Sequence, residues 1–267
     1  MSGQERAAQI DARHPHPARV YDFWLGGKDN FAADRDAAQE AIAANPGIVD
    51  DARACRAFLG RSVRYLAAEC GISQFLDIGS GLPTSRNTHE VAQAAQPGAR
   101  VVYVDNDPVV LTHSRAMLVS GPDGRCDFLD ADLREPDAIV AGAARTLDFS
   151  RPVGLLLLMV LHFIPDPDSP EEIVAALLRA LPSGSYLVLS HPASDVRAAE
   201  VSEMTRRMNQ RMARTHATLR DRAQITGFFA GLDLAEPGVV QPQQWRPGPG
   251  DQGPDAVTAW CGVAGKR

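Results

Sequence analysis

One stretch constrains this chain more than any other: residues 74–110, QFLDIGSGLPTSRNTHEVAQAAQPGARVVYVDNDPVV. An apolar run ends in Asp77, and a turn carrying Gly79 and Gly81 follows. A helical stretch comes next, then a second apolar run, Val101 to Val104, ending in Asp105. Strand, glycine turn, helix, strand, acid is the order of a nucleotide-binding βαβ unit, with the acid placed to bond a ribose hydroxyl. Pro108 suits the first helical position and Asp107 the cap before it, so Asp107 has a structural job. Asp105 has none, which makes it the better ribose ligand, and Asn106 can line an adenine site.

The unit departs from a dinucleotide fingerprint. Thr84 stands where the third glycine belongs. A pyrophosphate would sit on the helix N-terminus, and Asp77, at the end of the first strand, would repel it. Asp77 suits a ligand with an ammonium group and a sulfonium. S-adenosylmethionine has both, a ribose for Asp105 and no phosphate, and Gly79, Ser80 and Gly81 would form its floor.

FLDIGSGLPT and VVYVDNDPVVL also resemble the first two motifs of class I S-adenosylmethionine-dependent methyltransferases. With YDFWLGGKDNFAADR, LLLLMVLHFIPD and GSYLVLSH, the set resembles one bacterial family of S-adenosyl methyltransferases of undefined substrate, from about Arg19 to Gly262. The resemblance implies a doubly wound, Rossmann-like α/β sheet of seven strands in the order 3-2-1-4-5-7-6, the seventh antiparallel. It also implies an acid and an apolar wall near adenine, matched in position by Asp132 and Leu133. The alternative for Asp132 is a cap on the helix starting near Pro136.

At 267 residues the chain is one large α/β domain or one domain with an extension. The division expected is a helical cap or lid over residues 1–72 and a cofactor-binding core over 73–267. A net charge of −6 gives no global electrostatic reason to bind nucleic acid. The four cysteines are scattered without zinc spacing, so the chain reads as reduced and cytoplasmic, with no metal. No apolar run is long enough to span a bilayer.

Met1 to Pro17 reads as a solvated arm, His14 and His16 included. Ala18–Leu25 suits a short helix ended by Gly26 and Gly27. Asn30 is placed to cap a helix over Phe31–Ala44, and Ile48–Cys70 repeats apolar residues at helical spacing. GGKDN is an interhelical turn or a lid across the cofactor. As a lid, this segment would offer Arg19, Tyr21, Lys28 and Asn30 to a carboxylate the core cannot satisfy. A helix over Thr84–Ala95 is expected after the glycine turn. Val153 to Val160 is a continuous apolar run suited to a strand buried on both faces. It delivers His162 to the sheet edge where ligands bind, as base or as a turn residue. His191, after the next strand, is a second candidate.

Val196–Asp221 reads as a long helical stretch, with Met204, Met208 and Met212 on one face. The other face carries Arg206, Arg207, Arg211, Arg214, Arg220 and Arg222. That face is either solvated or an electropositive rim for an acidic substrate. VVQPQQW and AVTAWCGVAG suit a final hairpin across the RPGPGDQGPD loop. The function that follows is methyl transfer from S-adenosylmethionine to a small molecule. A module that binds the cofactor without turnover, or a nicotinamide-dependent oxidoreductase, stands as the alternative. The residues specify neither the acceptor nor an oligomeric state.

Overall fold

The computed structural model describes residues 11–84, 86–117, 120–212, 215–248 and 253–267. The central run is built as its composition demands. In β4 (Gly154–Leu158), Leu155 and Leu157 pack into the core on one face of the sheet and Leu156 into the core on the other. All three are fully buried, and each contributes about 1.5–3 kcal/mol of transfer free energy. Around it stand β1 (Gln74–Ile78), β2 (Arg100–Asp105), β3 (Arg125–Asp130), β5 (Tyr186–Pro192), β6 (Asp233–Leu234) and β7 (Ala259–Gly265). The sheet order is β3-β2-β1-β4-β5-β7-β6. β7 runs antiparallel to both neighbours and the other pairings are parallel. This is the doubly wound α/β arrangement expected from the sequence.

One face is covered by α3 (Ile48–Ala68) and α4 (Thr88–Ala95): Phe58, Val63, Leu66 and Ala92 pack with Phe75 and Val101. The opposite face takes α6 (Pro136–Ala143), α7 (Pro170–Arg179) and α9 (Arg222–Gly227). α5 (Pro108–Met117) follows β2. α1 (Pro17–Trp24), α2 (Ala32–Ala44) and α8 (Ala198–Arg211) pack on one another through Val20, Ala37, Ala41, Met204 and Met208. α3 thus belongs to a layer of the sheet, while α1 and α2 stand outside it. Among the described residues no helix is long and apolar enough to cross a membrane.

Several local expectations change. α4 starts at Thr88, not Thr84. The Asn87 side chain accepts from the Thr84 amide at 3.0 Å, and Glu90 accepts from the Asn87 amide at 2.7 Å, so Asn87 is the residue that opens the helix. Asn30 does not cap α2. Its amide donates to the buried Asp22 carboxylate at 2.8 Å, and Asp34 accepts from the Phe31 amide in its place. A cap works through the asparagine oxygen, and that oxygen accepts from Arg35 at 3.2 Å while Phe31 occupies the cap position.

α8 ends at Arg211, because Asn209 pairs both its amide groups with the Ala217 backbone and Arg220 draws the chain back to β5. VVQPQQW is not a strand. It makes a single bridge, Val240 to Cys261, then turns at Pro242–Gln244. Trp245, fully buried edge-on to Phe58 and Tyr65, pulls it off the sheet edge onto α3. Of the expected RPGPGDQGPD loop, residues 249–252 lie outside the described residues.

Candidate active site

Because β1 lies between β2 and β4, the chain leaves β1 on one side and enters β4 from the other. Open α/β sheets bind ligands in the crevice beyond such a switch point. A cavity of about 1240 Å³ lies there. Gly79 and Gly81 both have positive φ, 74° and 66°, which favours glycine. A Cβ on Gly79 would stand 2.3 Å from Val160 Cγ2, so the β1 turn abuts the end of β4. A Cβ on Gly81 would meet no atom within 4 Å, so the backbone is bare against the cavity. Met159, at the end of β4, is held at φ 52°, a left-handed conformation that non-glycine residues adopt at a cost and mainly at functional sites.

Asp77 is buried, and the Thr88 hydroxyl donates to it at 2.6 Å. Burial pushes its carboxyl up to about 6, against that hydrogen bond and the charge of Arg56. Asp105 accepts from the Gly81 amide and from the Asp107 amide, each at 2.9 Å, and so pins the glycine turn to β2. Burial raises its pKa despite both bonds. Asp107 caps α5 through the Val109 amide at 2.8 Å. Its other oxygen faces His16 at 2.7 Å and Arg19 at 3.9 Å. Burial pushes its carboxyl up, but the hydrogen bond and charge of His16, the Val109 amide and Arg19 hold it below the usual range. Asn106 donates to Asp132 at 3.4 Å, and Asp132 accepts from the Arg134 amide at 2.9 Å, holding a turn rather than capping α6.

The cavity brings together Asp77, Gly79, Ser80, Gly81, Asp105, Asn106, Asp132, Leu133 and His162, all expected at the site, with Arg19 and Tyr21 on its far wall. Lys28, Asn30 and His191 do not line it. Lys28 is exposed, because GGKDN folds inward around the buried Asp22, which accepts from the Asp29 amide and from Asn30. Arg19 is buried, ion-paired to the equally buried Asp34 at 3.0 Å, and Tyr21 donates its hydroxyl to the Ala52 carbonyl at 3.0 Å. Neither is a spare donor for a ligand carboxylate.

His191 is a structural residue. Nδ1 donates to the Pro192 carbonyl at 2.9 Å. Nε2 faces Arg220 at 2.9 Å and therefore accepts, since a guanidinium only donates. Burial pushes its pKa down to about 3, with the Arg220 charge in the same direction. His162, in a 3-10 turn over Leu161–Phe163, differs: its buried Nδ1 has no partner. Burial, then His191 and Arg220, hold it well below its ordinary pKa, so it is a neutral imidazole. The turn is fixed by Arg220, which donates to the Leu161 and Ile164 carbonyls on either side of His162.

Two residues escaped the sequence reading. His16 is no part of a solvated arm, since it grips Asp107; Pro17 at the first helical position marked it as a cap. Arg220 is buried rather than solvated, and its partners lie 29 to 59 residues away, so no local pattern announces it. Of the other arginines on that stretch, Arg206 and Arg207 pair with Glu203 and Arg211 pairs with Glu40. Arg222 donates to the Val239 carbonyl. Arg214 lies outside the described residues.

The model of a family described as S-adenosyl methyltransferase matches residues 3–267. The chain belongs to the S-adenosyl methyltransferase family. A DUF574 family protein from Streptomyces avermitilis is 42% identical over 97% of this chain and 100% of its own, with a TM-score of 0.92. A putative methyltransferase from Thermobifida fusca is 42% identical over 95% of this chain and 96% of its own, with a TM-score of 0.86. An S-adenosylmethionine-dependent methyltransferase from Anabaena variabilis shares the fold, with a TM-score of 0.52 at 13% identity over 97% of this chain and 100% of its own. Among proteins of curated function none matches. The protein is thus an S-adenosylmethionine-dependent methyltransferase, and the nicotinamide alternative falls away.

Proposed function

We propose that this methyltransferase binds S-adenosylmethionine across the ends of β1 and β2 and methylates a small molecule in the same cavity. One observation carries the cofactor site: two carboxylates, the buried Asp77 and the half-buried Asp105, flank a glycine turn whose bare backbone opens on the cavity. That donor set repels phosphate and suits a cation beside a ribose. Asp105 would accept from the ribose, Asn106, Asp132 and Leu133 would border adenine, and Asp77 would face the methionine end. When bound, the cofactor supplies an activated methyl group.

The chain's own contribution is placement and desolvation. Tyr21 and Trp24 of α1, with Leu25 after it, line the site and would shield a bound cofactor from water. Holding reactants in line is worth on the order of 7–11 kcal/mol. A neutral His162 is available to take a proton from an acceptor.

S-adenosylhomocysteine should raise the melting temperature and NAD should not; at about 100 times its dissociation constant a ligand adds roughly 2.7 kcal/mol. An equal shift with NAD would overturn the cofactor site. His162→Gln should keep S-adenosylhomocysteine affinity and, once an acceptor is known, lose turnover together with the acidic limb of the pH–rate profile.

A further inference from the structure

The cavity extends well past the residues that suit the cofactor. Beyond Met159 it runs between α3, α8 and the ends of β5 and β7, walled by Trp24, Ile48, Val201, Met204, Met208 and Met212. Thioether side chains are polarizable and adapt to the shape of what they enclose, aromatic faces above all. Into this apolar wall are set two buried polar atoms without a partner: Oγ of Ser190, 1% exposed, and Nδ1 of His162. Ser190 lies in β5 opposite Leu158, the last residue of the adjacent β4, and His162 lies in the turn that follows β4. A buried polar atom costs stability unless something bonds to it. A ligand hydroxyl can satisfy either atom, since a neutral imidazole nitrogen can accept and a serine hydroxyl can both donate and accept.

Charge narrows the choice. Among the described lining residues the guanidinium groups within the cavity are already engaged: Arg19 with Asp34, Arg56 with Asn87, and Arg134 with Asp132 and Asp168. Arg13 stands largely exposed beside Asp11. The described arginines on and after α8 are paired or buried and do not line the cavity. The carboxylates of Asp77 and of Asp51, the latter paired with Arg197 at 2.8 Å, do line it. An anion entering the chamber would meet these without a spare cation.

We propose that the chamber walled by Met204, Met208 and Met212 is the acceptor site, and that it takes an uncharged, largely apolar molecule of aromatic size bearing a hydroxyl. This rests on the methyltransferase reading of the same cavity and adds the class of acceptor. The test is calorimetric titration with 1-naphthol, 1-naphthoate and naphthalene, on the full chain alone and saturated with S-adenosylhomocysteine. 1-Naphthol should bind at least about tenfold more tightly than 1-naphthoate and measurably more tightly than naphthalene.

Met208→Glu, which puts a carboxylate in the wall, should weaken 1-naphthol at least about tenfold and leave S-adenosylhomocysteine affinity unchanged. Ser190→Ala, the gentler change, should narrow the preference for 1-naphthol over naphthalene. No binding of 1-naphthol, 1-naphthoate binding as tightly, or both variants behaving as wild type would each overturn the proposal. Failure of S-adenosylhomocysteine to bind would count against the cofactor site alone, since the naphthol comparison is also read on the protein without it.

Discussion

Replacing Arg220 by alanine should cost more stability than any other single truncation of a charged side chain around this site. The guanidinium is 1% exposed and donates to the Leu161 carbonyl at 3.3 Å, the Ile164 carbonyl at 2.9 Å, His191 Nε2 at 2.9 Å and Asp166 at 2.6 Å. Asp166 is 65% exposed, so water replaces its partner and that pair contributes little. The other three acceptors are left buried. Each costs about 1–3 kcal/mol without a donor, and partial relaxation brings the total to about 3–5 kcal/mol. For a domain of this size each kcal/mol lowers the melting temperature by about 2–4 °C, so a fall of roughly 6–20 °C is expected. Arg220→Lys keeps the charge but cannot span four acceptors, and should fall in between. Differential scanning calorimetry of both variants measures it. A fall below about 2 °C for Arg220→Ala would show that the turn carrying His162 holds itself, and would refute the reasoning.

Three further outcomes are expected. Asp105→Ala should weaken S-adenosylhomocysteine binding and loosen the glycine turn, each charged hydrogen bond being worth about 1.5–3 kcal/mol; Asp107→Ala should chiefly lower the melting temperature by loss of a cap, about 1 kcal/mol, and calorimetric titration with melting separates the two. His191 has its pKa lowered from 6.5 to about 3 in the fold. The stability it confers is therefore complete above pH 6.5 and lost as pH falls toward 3, because the unfolded chain binds the proton first. Asp77, raised to about 6, acts with the opposite sign; melting temperatures across this range should fall with acid, and His191→Gln should flatten the fall. Lys28→Ala should leave cofactor affinity within about twofold, since an exposed side chain outside the lining contributes little, while deletion through Asn30 should weaken it severely by removing α1; equal losses in both would restore Lys28 to the site.

Much of this was legible in local residue order. The βαβ unit was readable because its signals are short-range: an apolar run, a glycine turn, an acid at each strand end. The cap at Asp107 was readable for the same reason, since Pro108 marks the helix start that Asp107 caps. The buried β4 was readable from the continuous apolar run Val153 to Val160. The helical cap was legible as elements but not as contacts. Arg19, Lys28 and Asn30 are all polar residues around a Gly-Gly pair, and nothing local reveals that Asp34 claims the first, Asp22 the third, and neither the second.

The sequence by itself determined the sheet, its order by way of the family pattern, and the acids at the ends of its first two strands. Those follow from periodicity and from chemistry within a few residues. Only the tertiary structure decided which of two similar histidines remains available. His162 and His191 each follow an apolar strand and look alike in sequence. Arg220, 29 residues beyond His191, satisfies the acceptor nitrogen of one ring and leaves Nδ1 of the other without a partner. The same holds for α8, whose methionines face the cavity because its arginines find Glu40 and Glu203 outside it. A hydrogen-bond donor has one place to go, and which acceptor it reaches depends on the packing of distant segments, which no local pattern of residues encodes.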